Sequence, residues 1–186
     1  MNDTSDAAPL PSLAETLEAV DRESQIGTLE PAPARSAGDD REAVIQFTLG
    51  TLRFGLPLSH AVEIGRHPRV TPLPNLPGWV MGVSNVRGEI VSMVDLAAFL
   101  GLDRPRPGAN RRFILVRNPE MRVGLVVDRI LGIRSLDPAR QPSEAREEAT
   151  WHRFVREELP LEEGVLHRID VEALLAASEM TAFRLE

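Results

Sequence analysis

Residues 82–101 read GVSNVRGEIVSMVDLAAFLG. Two short β-prone runs meet at Arg87 and Gly88, and the second run ends at Asp95, directly before apolar residues at helical spacing. Aspartate is a preferred N-cap residue, and Gly101 is of the type that follows the last turn of a helix. The stretch therefore predicts a β-hairpin that turns at Arg87, followed by a short capped helix.

Three more strands are predicted upstream of this hairpin. The strand-like runs are AVIQFTLG (43–50), LRFGLPL (52–58) and AVEIGR (61–66), with a turn at Gly50 and Thr51 between the first two. The proline-rich run HPRVTPLPNLPG, residues 67–78, then predicts an irregular connection to the hairpin.

The second half of the chain repeats the first. VGLVVDRILGI (123–133) aligns with FGLPLSHAVEI (54–64), and GVLHRIDVEALLA (164–176) aligns with EIVSMVDLAAFLG (89–101). Asp170 falls under Asp95 in this alignment, so we expect both to cap helices, at about 1 kcal/mol each. Each copy holds about five short strands, a number that closes into a small barrel. We therefore expect an all-β fold with short helices.

Composition excludes several classes of enzyme. Every basic side chain is an arginine, because the sequence contains no lysine. A phosphate loop of the Walker type, a protein kinase, a pyridoxal enzyme and a Schiff-base aldolase all need a lysine amine. There is also no cysteine, so disulfides and thiol chemistry are absent.

Charge is unevenly distributed along the chain. Residues 1–43 carry ten acidic residues against three arginines, whereas residues 44–186 carry eighteen of each sign. A neutral folded part has no basic surplus to follow a phosphate backbone, so nucleic acid is not an expected partner. No run reaches the length of a signal peptide or a membrane span, which predicts a cytoplasmic protein without direct membrane insertion.

The N-terminal segment is set apart by its composition. Residues 1–41 are acidic and poor in large apolar residues, which predicts a disordered extension. Within it, Leu10, Leu13, Leu17 and Val20 recur at helical spacing. Either a short docking helix for a partner or a transient helix in a tail explains this pattern. We expect the folded domain to span residues 42–178 and a C-terminal tail to span residues 179–186.

Candidate catalytic and metal-binding residues are few. Ser84 departs from the serine nucleophile motif G-x-S-x-G at its last position, and a β-hairpin is the wrong setting for that motif. None of the four histidines forms a metal-binding spacing with another. Helix capping accounts for Asp95 and Asp170 without chemistry. We expect no enzyme activity and no cofactor, although a hydrolase site at Ser84 or Asp95 remains a third hypothesis.

Arg87 is the charged residue that the apolar pattern does not explain. The flanking runs GVSNV and EIVSMV are apolar, so the guanidinium is expected to emerge from an apolar surface. Such a group makes bidentate bonds to carboxylates. The acceptor is either internal, with Glu63 as the candidate, or on a partner protein.

The segment LPNLPGWVMGVSNVRGEIVSMVDLAAFLG, together with FTLGTLRFGLPLSHAVEI, VGLVVDRILGI and VLHRIDVEALL, resembles the CheW-like domain family. The resemblance covers roughly residues 42–178. It implies two five-stranded SH3-like β-barrels that share an apolar core. Ser92 departs from the proline that the family commonly has there. The partner-binding positions it implies are Val62, Glu63, Ile64, Val86, Arg87 and Gly88.

The resemblance also implies a function without catalysis. Members of the family join methyl-accepting chemoreceptors, at their cytoplasmic tips, to the regulatory domain of a CheA-type histidine kinase. We therefore expect a chemosensory adaptor, in chemotaxis or a related pilus or surface-sensing pathway, recruited to membrane-associated receptor arrays. The alternative is a divergent member that organises or localises arrays and recruits partners through its N-terminal segment.

Overall fold

The structure is a computed structural model that describes residues 42–103, 111–136 and 149–182. The predictions for residues 1–41, including the docking helix, lie outside the described residues. The described part of the chain is mostly β, as the sequence predicted. No helix within it is long and apolar enough to cross a lipid bilayer.

Ten strands and three short helices form the described part. The strands are β1 (Glu42–Leu49), β2 (Leu52–Pro57), β3 (Ala61–Arg66), β4 (Val80–Val86), β5 (Glu89–Asp95), β6 (Arg112–Arg117), β7 (Arg122–Val127), β8 (Arg129–Leu136), β9 (Val155–Leu161) and β10 (Gly164–Ile169). The helices are α1 (Leu96–Phe99), α2 (Val171–Leu175) and α3 (Ser178–Thr181). Two 3₁₀ turns lie at Leu58–His60 and Thr150–Phe154.

The ten strands form two five-stranded sheets. Sheet A has the order β8-β1-β2-β10-β9, and sheet B has the order β3-β6-β7-β5-β4. Each sheet contains one parallel pair, β2 with β10 in sheet A and β5 with β7 in sheet B, and its other pairs are antiparallel. The two orders correspond strand for strand under the internal repeat, which confirms two equivalent five-stranded units.

The expectation that each copy of the repeat builds its own barrel is wrong. Sheet A combines β1 and β2 of the first copy with β8, β9 and β10 of the second, and sheet B combines the remaining strands in the reciprocal way. The sheets are also not closed into barrels by main-chain pairing among the described residues, because their end strands do not pair with each other. The arrangement agrees with an SH3-like fold whose halves exchange three strands.

The exchange requires the chain to cross between the sheets after the second strand of each copy. In the first copy the crossing is the 3₁₀ turn Leu58–His60, and in the second it is the single residue Asp128. Asp128 is held at the junction because its backbone N–H donates to Thr48 O, at 3.2 Å, and its carboxylate accepts from Gly50 N–H, at 2.7 Å. Such short crossings keep the two sheets in contact.

The apolar core has one large shared part and two small ones. The shared cluster draws on β1, β2, β6 and β7, both capped helices and α3, and therefore lies between the sheets. A smaller cluster lies within sheet B and comprises Val86, Val91, Met93, Phe113, Leu115 and Val126. Its counterpart in sheet A comprises Val44, Leu159 and Leu166. Burial of the shared cluster is the main contribution that joins the sheets.

The two predicted helix caps are confirmed. Asp95 Oδ1 accepts from Ala98 N–H at 3.1 Å, and Asp170 Oδ1 accepts from Ala173 N–H at 2.9 Å. The predicted domain boundaries remain predictions. The structure adds that Met180, within the segment set apart as a C-terminal tail, is buried in the shared core through α3.

Gly82 is the glycine that the fold constrains most. It has φ +130°, and a Cβ atom at this position would lie 2.1 Å from Thr71 O. Thr71 cannot retreat easily, because its N–H donates to Val83 O at 2.8 Å and its carbonyl accepts from Val83 N–H at 2.9 Å. The irregular connection is thereby pinned across β4, beside the hairpin.

We predict that Gly82→Ala lowers the free energy of unfolding by roughly 2–4 kcal/mol, from backbone strain plus overpacking. Urea denaturation of the full chain measures this change. Gly164→Ala is the matched control, because Gly164 also has a positive φ, +122°, but no atom lies within 4 Å of its Cβ position. Equal losses in the two variants would show that the contact with Thr71 contributes nothing.

Candidate functional site

The β4–β5 hairpin presents Arg87 in a fixed conformation. Arg87 has φ +53°, in the left-handed region, and Gly88 follows with φ +88°. The turn is closed by the side chain of Asn85, whose Oδ1 accepts from Gly88 N–H at 2.7 Å. Asparagine commonly closes turns in this way. The Arg87 side chain is 48% exposed, so the guanidinium is partly available to solvent.

Glu63 is the carboxylate within the protein that pairs with Arg87, as one of the two interpretations of Arg87 predicted. Arg87 Nε lies 2.7 Å from Glu63 Oε2. The Glu63 side chain is only 5% exposed, and its Oε1 is buried without a hydrogen-bond partner among the described residues. A buried carboxylate is costly unless it is paired. Arg87 therefore stabilises a charge that β3 holds inside the protein.

A β-bulge directs Glu63 inwards. The pairing of β3 with β6 shifts between Ala61 and Glu63, so that Val62 is the extra residue. Glu63 then faces Leu115 across the strands, and cross-strand partners project from the same face of a sheet. Because Leu115 belongs to the small sheet B cluster, the carboxylate lies at the edge of that apolar cluster.

The Glu63–Arg87 ion pair joins the two ends of sheet B. In the sheet order, β3 is the first strand and the β4–β5 hairpin supplies the last two. The equivalent junction of sheet A carries an ion pair of opposite polarity, because Arg134 of β8 lies 3.3 Å from Glu163 in the β9–β10 turn. Side chains thus connect the ends of each sheet where main-chain pairing does not.

The structure brings together most of the predicted partner-binding residues. Val62 and Val86 both pack against the small sheet B cluster, on either side of the ion pair. Ile64, in contrast, packs against the shared core, so it lies on the other face of β3. Gly88 is exposed beside Arg87. Whether these residues bind a partner stays a prediction.

A groove that the sequence did not predict lies beside the hairpin, along β5. It has a volume of about 440 Å³. Ile90, on β5, is 61% exposed at its edge, and the Glu89–Arg122 ion pair lies beside it. The lining residues include Trp79, Val80, Ile90, Val94, Met121 and Met180. Sequence reasoning missed the groove because tertiary packing brings together its walls, which come from residues 79–94, residues 117–123 and Met180.

Neither candidate catalytic residue is placed for catalysis. Ser84 is buried and its Oγ donates to Arg69 O at 2.9 Å, which fixes the connection after β3. Asp95 caps α1 through one carboxylate oxygen, and its other oxygen lies 2.8 Å from Arg111 Nη2. Both groups therefore have structural partners that explain their burial.

A cluster of His152, Glu158 and His167 is the set of described residues whose atoms come closest to a metal-binding geometry, within 4.8 Å of one another. These atoms already have partners. Glu158 Oε1 lies 3.4 Å from His152 Nε2 and 3.2 Å from His167 Nδ1, and Ala149 N–H donates to His152 Nδ1 at 3.1 Å. That last bond places the proton of a neutral His152 on Nε2, facing Glu158. The cluster is a hydrogen-bonded network centred on Glu158 Oε1.

Sequence reasoning considered the histidines only by their spacing and so missed this cluster. The signal was the register of the β9–β10 hairpin, in which His167 and Glu158 are direct cross-strand partners. The rings of Phe54 and Trp151 pack on His167, with centroids 5.3 and 5.0 Å away. The cluster therefore anchors the second hairpin to β2.

The family model described as a CheW-like domain matches residues 43–179. The chain belongs to the CheW-like domain family. It is 31% identical over 144 residues to the probable chemotaxis protein CheW of Rhizobium etli, covering 77% of this chain and 92% of that protein. It is also similar to the protein PilI of Pseudomonas aeruginosa, at 33% identity over 102 residues and 55% of this chain, although the match spans only 57% of PilI.

A solved CheW structure shares the fold. The crystal structure of the scaffolding protein TtCheW from Thermoanaerobacter tengcongensis superimposes with a TM-score of 0.65 at 21% identity, covering 75% of this chain and 95% of that one. The matched CheW-like region contains both sheets and both ion-paired junctions, and it ends within α3. The recognition made from the motif around Arg87 is thereby confirmed.

For this CheW-like domain we predict that Arg87→Ala lowers the free energy of unfolding by about 1–3 kcal/mol, because Glu63 loses its cation while staying buried. In the double variant Glu63→Gln/Arg87→Ala the loss should be smaller, since no buried charge remains. Urea denaturation of the four proteins of this cycle gives the coupling. Arg122→Ala, at the exposed Glu89 pair, is the control and should cost less than about 1 kcal/mol. Additive losses would contradict the coupling.

We also predict an acid-sensitive stability. Burial lowers the pKa of His167 below its ordinary value, against the opposing effect of Glu158. The unfolded chain then binds more protons, so the free energy of unfolding falls as the pH drops below about 6.5. Urea denaturation at several pH values should show a smaller fall in His167→Gln than in the wild type. His60→Gln, at a more exposed pair with Glu172, should keep the wild-type slope; an unchanged slope in His167→Gln would contradict the assignment.

Proposed function

We propose that this protein is a non-catalytic chemosensory adaptor that couples methyl-accepting chemoreceptors to a CheA-type histidine kinase. Membership of the CheW-like domain family supports the class of function, and the similarity to a chemotaxis protein and to PilI is consistent with chemotaxis or a related pilus pathway. The observation that carries the proposal is the half-exposed Arg87 guanidinium, fixed by a buried carboxylate at the edge of a buried apolar cluster.

The fixed guanidinium suits selective binding. Glu63 restrains the Arg87 side chain before any partner arrives, so less conformational entropy is lost when a partner's carboxylate or carbonyl oxygen binds. Val62, which precedes Glu63, is only partly buried and so leaves some apolar surface beside the pair, whereas Val86 is buried in the small sheet B cluster. A charge in such a setting contributes more to the orientation and the choice of the binding partner than to the binding affinity.

The groove beside the hairpin suits a helical partner. Its walls combine aromatic, branched and methionine side chains with polar ones, and Ile90 projects at its edge; the polar lining residues are Ser92, Arg117, Asn118, Glu120 and Arg122. An amphipathic helix places its apolar face in such a groove. We therefore propose that the helical cytoplasmic tip of a receptor binds here and contacts Arg87 with an acidic or carbonyl group, while the kinase regulatory domain binds a separate surface.

Weak contacts suffice for this function. In an array, receptors, kinase and adaptor are held together, so each later contact forms at a high effective concentration. A small groove with both apolar and polar walls, beside one oriented charge, is compatible with that regime, in which single interfaces are below the size of stable complexes. The engagement of Ser84 and Asp95 in structural hydrogen bonds further supports an adaptor over a hydrolase.

We predict that Arg87→Gln weakens binding of the full chain to a soluble fragment of the cognate receptor tip by about tenfold, which corresponds to about 1.4 kcal/mol. Titration calorimetry measures the affinity, and urea denaturation verifies that the variant is folded. Receptor-dependent kinase activity should fall in parallel.

The control is Arg156→Gln, because Arg156 is an exposed arginine on β9, in the other sheet. It should bind the fragment as the wild type does. Unchanged binding by a folded Arg87→Gln variant would remove Arg87 from the interface. Absence of binding by the wild-type chain to both receptor and kinase fragments would overturn the adaptor function itself.

A further inference from the structure

Two arginines face each other at the end of the β3–β6 pairing. Arg66 of β3 and Arg112 of β6 are direct cross-strand partners, and both are at least partly exposed. Like charges in this position destabilise a sheet. Nothing in the fold offsets the repulsion, because neither arginine forms an ion pair with any acidic residue of residues 42–103, 111–136 or 149–182.

The connection after β3 adds a third cation to this pair. Arg69 is exposed and has no ion pair within the described chain, and its backbone is fixed by the hydrogen bond from Ser84 Oγ. His67 lies between Arg66 and Arg69 in the sequence, and its backbone N–H donates to the carbonyl of Arg111, the residue before β6, at 3.2 Å. We call Arg66, Arg69 and Arg112 the arginine patch.

The arginines beside and at the far end of β6 provide a comparison for the patch. Arg111, which directly precedes β6, is buried and neutralised by Asp95 at 2.8 Å. The cross-strand arginines at the opposite end of β6 and β7, Arg117 and Arg122, include one that pairs with Glu89. Arg66 and Arg112 therefore differ from the cross-strand pair Arg117 and Arg122, because neither of them has an acidic partner among the described residues.

The chain itself carries a matching negative charge. Residues 1–41 hold nine acidic residues and three arginines, a net charge of −6, whereas residues 44–186 are neutral. Glu15, Glu18, Asp21 and Glu23 fall within nine residues of one another. A 41-residue chain can span at most about 140 Å, which is several times the width of a domain of this size. The acidic residues are therefore within reach of the patch.

We propose that the arginine patch binds the acidic N-terminal segment of the same chain through residues 15–23. Guanidinium groups form charge-assisted, bidentate bonds with carboxylates, and opposite charge removes the repulsion between Arg66 and Arg112. The patch and Glu63 both lie on or next to β3, so the bound segment borders the surface proposed for partner binding. The inference is independent of receptor and kinase, and its test contains neither.

Paramagnetic relaxation in the full chain tests this contact. The protein has no cysteine, so Ser24→Cys places a single nitroxide label beside the acidic residues. We expect the amide signals of Arg66, Arg69 and Arg112 to weaken by about twofold or more relative to the reduced label. At about 1 M salt, where the Debye length is about 3 Å, the signals should recover.

Two sets of variants separate the contact from unfolding. Arg66→Gln/Arg112→Gln should abolish the broadening, and so should Glu15→Gln/Glu18→Gln/Asp21→Asn/Glu23→Gln, which leaves the folded domain unchanged. The matched control is Arg129→Gln/Arg156→Gln, because both arginines are exposed and without ion pairs in the described chain. It should keep the broadening. Broadening that is absent in the wild type, or that centres on exposed apolar residues such as Leu131 and Ile133, would overturn the proposal and leave the patch to another protein's acidic surface.

Discussion

The shared apolar core between the two sheets is the constraint on which the rest of the structure depends. Strands β1 and β2 of the first copy bury one face against β6 and β7 of the second, and both capped helices cover the same cluster. Because each sheet then takes its remaining three strands from the other copy, neither can form without the whole chain. The two ion-paired junctions and the turn at Arg87 lie outside this core.

Ion pairs complete what the backbone pairing leaves open. Glu63 and Arg87 connect the ends of sheet B, and Arg134 and Glu163 connect those of sheet A with the charges reversed. The first pair is buried on its acidic side, whereas the second is partly exposed on both. The duplicated fold therefore carries two related but unequal junctions, and the sheet B junction pairs a half-exposed guanidinium with a buried carboxylate.

The sequence was sufficient for the local elements and for the contact between Glu63 and Arg87. Hairpin signals, helix caps and the duplication depend on residues close in sequence, so Asp95, Asp170 and the turn at Arg87 were predictable, as was Glu63 as the internal acceptor. Strand exchange was not predictable, because the two copies align in the same way whether each forms its own sheet or exchanges strands with the other. The groove and the His152–His167 cluster arise from register and tertiary packing, which periodicity does not encode.

The crossing at Asp128 has an evolutionary consequence. The turn that leads β8 into the opposite sheet is one residue long, and the equivalent turn in the first copy is a single 3₁₀ turn. The last three strands of each repeat therefore belong to the sheet that contains the first two strands of the other repeat. A polypeptide holding only one repeat could reproduce these sheets solely as an intertwined homodimer. Gene fusion of such a symmetric ancestor would have freed its two junctions to diverge, one into an ion pair with a buried carboxylate and the other into an ion pair exposed on both sides.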